Sequence, residues 1–581
     1  MIIKIARTAG FCFGVKRAMD KVISTSNRLR APIYTDGPLI HNPQIVKVLD
    51  KREISVLKDG GMRENSTVVI RAHGVSPERK AFLEKNCANV IDGTCPLVSK
   101  IHNIVKREIG KKRKIIIIGE SGHPEVIGIL GFAGKDGALV NSLGEARSLN
   151  WANTPVSVVA QSTQELEHFN EIAAELKLKY NDIEIFNTIC DATRKRQEET
   201  AALARETDLM IVVGGKNSGN TKRLAEVAQN AGTRTIFVET EDELELKDLG
   251  GAKSVGITAG ASTPNWMIRN VAQKIDELSD NSKPIMESFV KKIVNFLIDT
   301  DIYIGIGAFA MAYVASTLIS KTIHPFEAWL SALYIFSMHT LNRYIDRGAS
   351  RYNSSSRNKI YEKYSKYIMA GGVAASCSVV VLSLNFSMWL FLFYILCSIF
   401  GILYSINFVP VGFIPYVRYA SLKDIPGSRD LFISTAWAAV LTFSPAVSGK
   451  WIFEWRLLFT FSIIFIFAFC RTIILDIKDI QGDSIVGKET IPTLIGSKYS
   501  VLLMKFMLLC AAVATIAAVA VNEYEYYSLS LIANFFYILV VINKFGNETT
   551  HYGNYIEALT DLNFILAGIF LLVIKYALIS M

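Results

Sequence analysis

The most constraining feature of this chain is an uneven supply of charge. From residue 302 onward, eight stretches hold no Asp, Glu, Lys or Arg: 302–320, 328–342, 367–417, 431–449, 457–470, 506–522, 526–543 and 562–574. A helix needs about 20 apolar residues to cross a bilayer. The long stretch therefore supplies two crossings, separated at Asn385-Phe386-Ser387, and each of the others supplies one. The spacing predicts an all-α membrane domain of nine transmembrane helices. Its shorter runs are completed by Lys or Arg side chains that snorkel to the surface. Residues 299–581 carry 20 Lys+Arg and 17 Asp+Glu, against 42 and 36 in residues 1–298. The first part is charged like a soluble domain. A single-domain soluble enzyme is excluded, and so is a disulfide scaffold, because eight Cys in 581 residues are too sparse.

Charge also sets partners and orientation. The net charges of the two parts, +6 and +3, come without a basic run, so nucleic acid is not an expected partner. The N-terminus, MIIKIARTAGFCFGVKRAMD, lacks the apolar core of a signal peptide. Alternate loops of the membrane part collect Arg343, Arg347, Arg351, Arg357, Lys423, Arg429, Arg471 and Lys488, while the opposite loops hold little beyond Lys321, Lys450 and Arg456. The basic side faces the cytoplasm. This predicts a multi-pass membrane protein, its partner the lipid bilayer, with the N-terminal domain cytoplasmic.

Carboxylates beside hydrocarbon are expensive and usually functional. The second predicted span ends in HTLNRYID, placing Asn342 and Asp346 one turn apart on one face. The sixth ends in RTIILDIKDIQGDSIVGKETIPTLIG, which supplies Asp476, Asp479 and Asp483. Two oxygen clusters on one membrane face suit Mg²⁺ ions bridging a diphosphate. With nine spans and these two motifs, residues 299–581 resemble the UbiA-type intramembrane prenyltransferases. The resemblance implies that both motifs hold Mg²⁺ and an allylic prenyl diphosphate, whose ionisation leaves a carbocation for an acceptor to attack. It also points to Tyr404 and to Lys423 or Arg429, in YSINFVPVGFIPYVRYASLKDIPGSRD, as diphosphate or acceptor contacts. Where the family's first motif continues to a second Asp, this chain has Ser350.

Residues 1–278 alternate short apolar runs, such as KIIIIG and LMIVVG, with helical stretches. That is an α/β pattern with largely parallel strands, possible in three similar modules, and its sites belong at the strands' carboxyl ends. Three cysteines stand in turns after such runs: Cys12 in GFCFG, Cys95 in DGTCP and Cys190 in NTICD. Three thiolates drawn from separate places suit an iron–sulfur cluster with one iron left open. Cys87, Cys377, Cys397, Cys470 and Cys510 read as small buried hydrophobes. Loops at strand ends also carry His41, His73 and His123, while KNSGNT opens a helix as an anion site and TAGAS ends the last strand. Converging, these groups would hold a diphosphate.

Over its whole length this part resembles 4-hydroxy-3-methylbut-2-enyl diphosphate reductase, through GFCFGVKRA, IHNPQ, RAHGVS, DGTCPLVSK, GHPEV, KNSGNT and TAGAS. The resemblance implies a three-module α/β domain around a central 4Fe–4S cluster held by Cys12, Cys95 and Cys190. It assigns the diphosphate to His41, His73, His123, Ser218, Asn220 and Ser262, with the Gly219 backbone. Glu125 would deliver the proton that lets the substrate hydroxyl leave as water. Ser162 and Thr163, in Gln-Ser-Thr, stand where the family has Gln-Thr-Thr, and a ferredoxin or flavodoxin is the implied electron donor. The expected layout is reductase domain 1–280, linker 281–298 with Lys283-Pro284, and prenyltransferase domain 299–581. The chain reads as a bifunctional isoprenoid enzyme, the alternative being an active reductase tethered by an inactive anchor.

Overall fold

Short apolar runs in the first 279 residues become strands. In chain order these are β1 (Ile2–Ile5), β2 (Ile33–Asp36), β3 (Ile54–Val56), β4 (Thr67–Ile70), β5 (Asn89–Asp92) and β6 (Lys114–Ile118). They continue with β7 (Gly137–Val140), β8 (Val156–Ala160), β9 (Ile183–Ile185), β10 (Leu209–Val213), β11 (Arg234–Val238) and β12 (Ser254–Ala259). The structure, a computed structural model, describes residues 1–29, 32–40, 42–57, 65–151, 154–279, 285–320, 325–345, 355–405, 422, 425–448, 455–546 and 553–579. The chain divides into two compact units, Met1–Ser279 and Asp280–Met581.

The strands form three four-stranded sheets, ordered β3-β2-β4-β5, β7-β6-β8-β9 and β11-β10-β12-β1. Every pairing is parallel. Counted along the chain, each sheet reads second, first, third, fourth. The last module takes its fourth strand from the N-terminus, β1 pairing Ile5 with Ile257 of β12. The three modules are thus a topological repeat that the sequence itself does not repeat. In each, the order reverses between first and third strands, and such a switch point is where open α/β sheets bind ligands, at the strands' carboxyl ends.

Parallel pairs need crossover connections. The helices are α1 (Phe13–Arg28), α2 (Pro43–Asp50), α3 (Pro77–Asn86), α4 (Pro96–Gly110), α5 (Pro124–Ala133) and α6 (Leu143–Ser148). They are followed by α7 (Leu166–Lys179), α8 (Asp191–Arg205), α9 (Gly219–Asn230), α10 (Leu246–Leu249) and α11 (Asn265–Ser279). Proline in the first turn of α2, α3, α4 and α5 starts each sharply after its loop. Strand β6, KIIII, shows why covered parallel strands read as unbroken apolar runs. Its Ile116 and Ile118 pack on Phe169 and Ile172 of α7, whereas Ile115 and Ile117 face Val105 of α4 and Ile129 of α5.

The second unit is helical throughout its described residues. The segment expected as a linker is largely a helix, α12 (Ile285–Asp299). Then come α13 (Ile302–Ser320), α14 (Pro325–Ile345), α15 (Ser355–Ser383), α16 (Met388–Ser405), α17 (Ser428–Ser448), α18 (Trp455–Val486), α19 (Ile491–Ile495), α20 (Ser497–Ala520), α21 (Ser530–Phe545) and α22 (Tyr555–Ile579). Six segments are long and apolar enough to cross a membrane: Ile302–Ile319, Ile360–Ser383, Trp455–Val486, Ser497–Ala520, Tyr526–Phe545 and Tyr555–Ala577. The apolar part of α16 is shorter, Met388–Tyr404. Helices α14 and α17 cover two further expected segments without reaching that standard. The helix break at Asn385-Phe386-Ser387 is present, the Ser387 hydroxyl accepting from the Leu390 amide (3.1 Å). Helix α18 is the most enclosed, with Ile463, Phe467 and Ile474 buried. Helix α20 turns Leu502, Phe506, Leu509 and Val513 outward, a stripe suited to lipid.

Candidate active sites

The repeat explains where the polar residues of the first unit stand. Glycines close the first strands of the three modules, Gly37, Gly119 and Gly214, and four residues beyond each come His41, His123 and Ser218. Three residues past the ends of the third strands come His73, Thr163 and Ser262. The cysteines follow the fourth strands, and each is the cap of the next helix: Cys12 for α1, Cys95 for α4, Cys190 for α8. Residues from three modules thus occupy matching positions of one repeated unit.

Several contacts draw these loops together. The rings of His73 and His123 meet edge to face at 5.5 Å. Asn42, which follows His41, caps α2 and donates to the Ser262 carbonyl (3.1 Å); His41 itself lies outside the described residues. Ser218 caps α9, and its hydroxyl accepts from the Thr221 amide (3.4 Å). The buried amide nitrogen of Asn220 has no hydrogen-bond partner among the described residues, a donor free for an anion. A side chain at Gly219 would first meet the Glu120 carboxylate, 3.8 Å away, so serine fits the space there. Lys216 instead turns to Glu243 (2.7 Å).

The thiols converge through α1 and α8. A β-carbon on Gly14 would stand 2.6 Å from the Cys95 sulfur, which requires glycine where α1 passes Cys95. Arg17 of α1 donates to the Thr94 carbonyl (2.8 Å). From α8, Arg196 donates to the carbonyls of Gly10 and Ala259 (2.8 Å each), and Glu199 accepts from the Arg7 and Thr8 amides (2.7 and 2.8 Å). Burial pushes the Cys95 thiol up, and the nearby Cys12 and Cys190 push it further. Among the described residues no three His, Cys, Asp or Glu side chains crowd around a point as one metal ion would need. A cubane cluster asks for something looser, because each thiolate takes a different iron. Three thiols from three modules, two of them within electrostatic reach of Cys95, fit it.

Glu125 opens α5 and is 1% exposed. Its amide donates to His123 Nδ1 (3.2 Å), and its carboxylate accepts from the Ser162 amide (2.6 Å) and hydroxyl (2.8 Å). The Ser162 carbonyl in turn accepts from the Cys190 amide (2.8 Å). Burial raises the Glu125 carboxyl, outweighing the two Ser162 hydrogen bonds that lower it. Thr163 accepts from the Gln161 side chain (2.8 Å), whose oxygen accepts from the Glu120 amide (3.0 Å).

In the second unit, Asp476, Asp479 and Asp483 share one face of α18 at spacings of three and four. Arg429 reaches Asp476 at 3.7 Å and Asp483 at 3.4 Å. Tyr404 stacks on Phe432 of α17 at 4.0 Å. Asp430, which the sequence reading passed over, is buried against Asp476 and accepts from the Ile491 amide (2.6 Å). One carboxylate oxygen of Asp430 and one of Asp476 are buried without a hydrogen-bond partner among the described residues. Oxygens without donors are what a divalent cation satisfies, so the set fits Mg²⁺. Asn342 is on α14; Asp346, Ser350 and Lys423 lie outside the described residues.

A buried ionic network was also missed. Arg343 pairs with Asp301 (2.6 Å) and Glu557 (2.9 Å), Arg357 with Glu557 (2.9 Å), and Arg471 with Asp561 (2.5 Å). It joins α14, the motif-bearing helix, to α22, and Lys478 of α18 lies within electrostatic reach of Glu557. These partners are over 200 residues apart in sequence for Arg343 and Glu557, so no local pattern announces them.

Fold and comparisons define an enzyme with an α/β unit and a helical membrane unit. The chain belongs to the LytB protein family, whose profile matches residues 3–276, and residues 304–551 match the UbiA prenyltransferase family. It is 42% identical over 283 residues to 4-hydroxy-3-methylbut-2-enyl diphosphate reductase of Aquifex aeolicus, covering 48% of this chain and 96% of that protein. The enzyme of the same name from Geobacter sulfurreducens is 43% identical over 283 residues, covering 49% of this chain and 100% of the relative. Among solved structures, a UbiA homolog from Archaeoglobus fulgidus bound to GPP and Mg²⁺ is 15% identical, covering 49% of this chain and 100% of that one, with a TM-score of 0.37.

Proposed function

We propose that residues 1–280 catalyse reductive dehydroxylation of 4-hydroxy-3-methylbut-2-enyl diphosphate to isopentenyl and dimethylallyl diphosphate. Residues 281–298 serve as the linker, and residues 299–581 form a nine-helix Mg²⁺-dependent prenyltransferase. Cys12, Cys95 and Cys190 hold a 4Fe–4S cluster, which when bound supplies electrons and a Lewis-acidic iron beside the substrate oxygen. His41, His73, His123, Ser218, Asn220, Ser262 and the Gly219 backbone bind the diphosphate. Ser162 and Thr163 orient the substrate alcohol. Glu125, whose carboxyl burial raises, gives its proton to the departing hydroxyl. Two electrons and two protons enter; the C–O bond breaks, a C–H bond forms, and water leaves. The electron donor is a ferredoxin or flavodoxin, and the basic loops put this domain on the cytoplasmic side.

The hydrogen-bonded path Glu125–Ser162–Cys190 carries this reading, because it ties a buried acid to the backbone of a proposed cluster cysteine through a residue expected at the substrate alcohol. Glu125→Gln should keep the cluster's visible absorbance and lower turnover by about 10²–10⁴-fold. Normal turnover would refute the role.

For the membrane unit, Asn342, Asp346, Asp476, Asp479 and Asp483 would hold Mg²⁺ and diphosphate, with Tyr404, Lys423 and Arg429 as diphosphate or acceptor contacts. The prenyl–oxygen bond breaks, the acceptor–prenyl bond forms, and the acceptor loses a proton. Two observations pull apart here. The orphan oxygens of Asp430 and Asp476 support metal binding, while the ion pairs of Arg429 favour a second reading, an anchor whose acidic motif is already neutralised. Full-length protein given Mg²⁺ and dimethylallyl or longer all-trans diphosphates decides. Prenylated lipid that disappears in Asp479→Ala supports transfer; no prenylated product supports the anchor.

A further inference from the structure

Helix α12 carries its apolar face on the outside. Met286, Phe289, Val290, Ile293 and Phe296 are 74%, 58%, 52%, 42% and 56% exposed. Their spacing puts them on one stripe of the helix. Lys291 and Asn295, one turn apart, occupy the other side and are half-buried, while the exposed Lys292 flanks the stripe. A helix facing water has the reverse arrangement. The end of α12 is fixed to the membrane unit: Asp299 accepts from Asn554 (2.9 Å) and lies 3.8 Å from Arg357. Asp301, in a left-handed conformation at φ 62°, then breaks the helix and is held by Arg343 (2.6 Å) and Tyr361 (2.8 Å). Helix α12 is therefore not an upward extension of the first span. Span α13 starts at the next residue, and its Ile302 and Ile306 are also turned outward, so the apolar stripe runs on into the lipid-facing surface of the bundle.

We propose that α12 is an interfacial helix, lying in the headgroup region with its Met286–Phe296 stripe among the acyl chains and its lysine side toward the phosphates. Continuity with the span's outward face selects lipid as the occupant over a protein partner. The segment between the two catalytic units is then a monolayer-bound anchor in addition to the spans.

The test uses the full chain in phosphatidylcholine–phosphatidylglycerol vesicles containing a lipid with a diazirine in its acyl chain, followed by peptide mapping after illumination. Lipid adducts on Met286, Phe289, Val290 or Ile293, alongside adducts on Phe506 and Leu509 of α20, are the expected result. Phe289→Asp combined with Ile293→Asp should abolish the α12 adducts and keep those on α20. Labelling of α20 with none on α12 overturns the proposal. So do crosslinks from α12 to residues 1–279 or to a second copy when a bifunctional photoreagent replaces the lipid.

Discussion

In the reductase unit, the expected site residues that the structure describes stand where the chain leaves a strand. In the membrane unit they stand on helix flanks, Tyr404 at the end of α16, Arg429 at the start of α17 and three aspartates along α18. The difference is one of solvent. A parallel sheet presents its loops at a switch point, where glycines and small polar residues mark the site in the sequence. A helix bundle in lipid has no such loops, so charges must be neutralised by partners brought from distant segments. The first kind of site can be read locally; the second becomes visible only when the helices are packed.

The comparison can be tested at several levels. The largest effect belongs to the thiols: Cys95→Ser should lose the visible absorbance and all reductase turnover, while prenyl transfer by the same preparation stays unchanged. Loss of both activities would show that the units depend on each other. Next is the network of the membrane unit. Glu557→Gln leaves Arg343 and Arg357 short of negative charge, and breaking such a buried set costs about 3–5 kcal/mol. Thermal unfolding in nanodiscs should show that loss with the reductase absorbance intact. Within the first unit, Arg196→Met removes two bonds to carbonyls and should cost about 2–3 kcal/mol in denaturant unfolding.

Titration gives the smallest effects. Burial raises Glu125, so the folded unit binds that proton more tightly than the unfolded chain. Stability from it is full below the ordinary carboxyl pKa and is lost as pH rises through the raised value; Glu125→Gln should remove that slope. Burial holds His102 down at about 4. Its contribution is therefore present above the ordinary imidazole pKa and is lost as pH falls toward the depressed value. Between neutrality and about pH 5.5 the loss should be about 1 kcal/mol, absent in His102→Asn.

The residues proposed for the reductase site were legible because cysteine, histidine and serine stood in glycine-rich turns after apolar runs. The supports behind them were not. Helix α8 buries Thr193, Arg196, Thr200 and Ala204, a face so polar that hydropathy reads it as solvated, although it holds the Cys12 loop. The three modules were a plausible reading, but their common strand order was hidden, because topology repeats where residues do not. In the membrane unit the motif of α18 was visible, whereas Asp430 stands outside it on another helix, and the pairing of Arg343 with Glu557 spans 214 residues.

The borrowed strand has a consequence for synthesis. Ile5 cannot find its neighbour Ile257 until the ribosome has made nearly the whole head. At ordinary elongation speeds that wait is on the order of 10–50 s, during which β1 lacks its partner strand. The first hydrophobic span begins at Ile302, only a few dozen residues later. Closure of the head and delivery of the nascent chain to the insertion machinery therefore fall almost together.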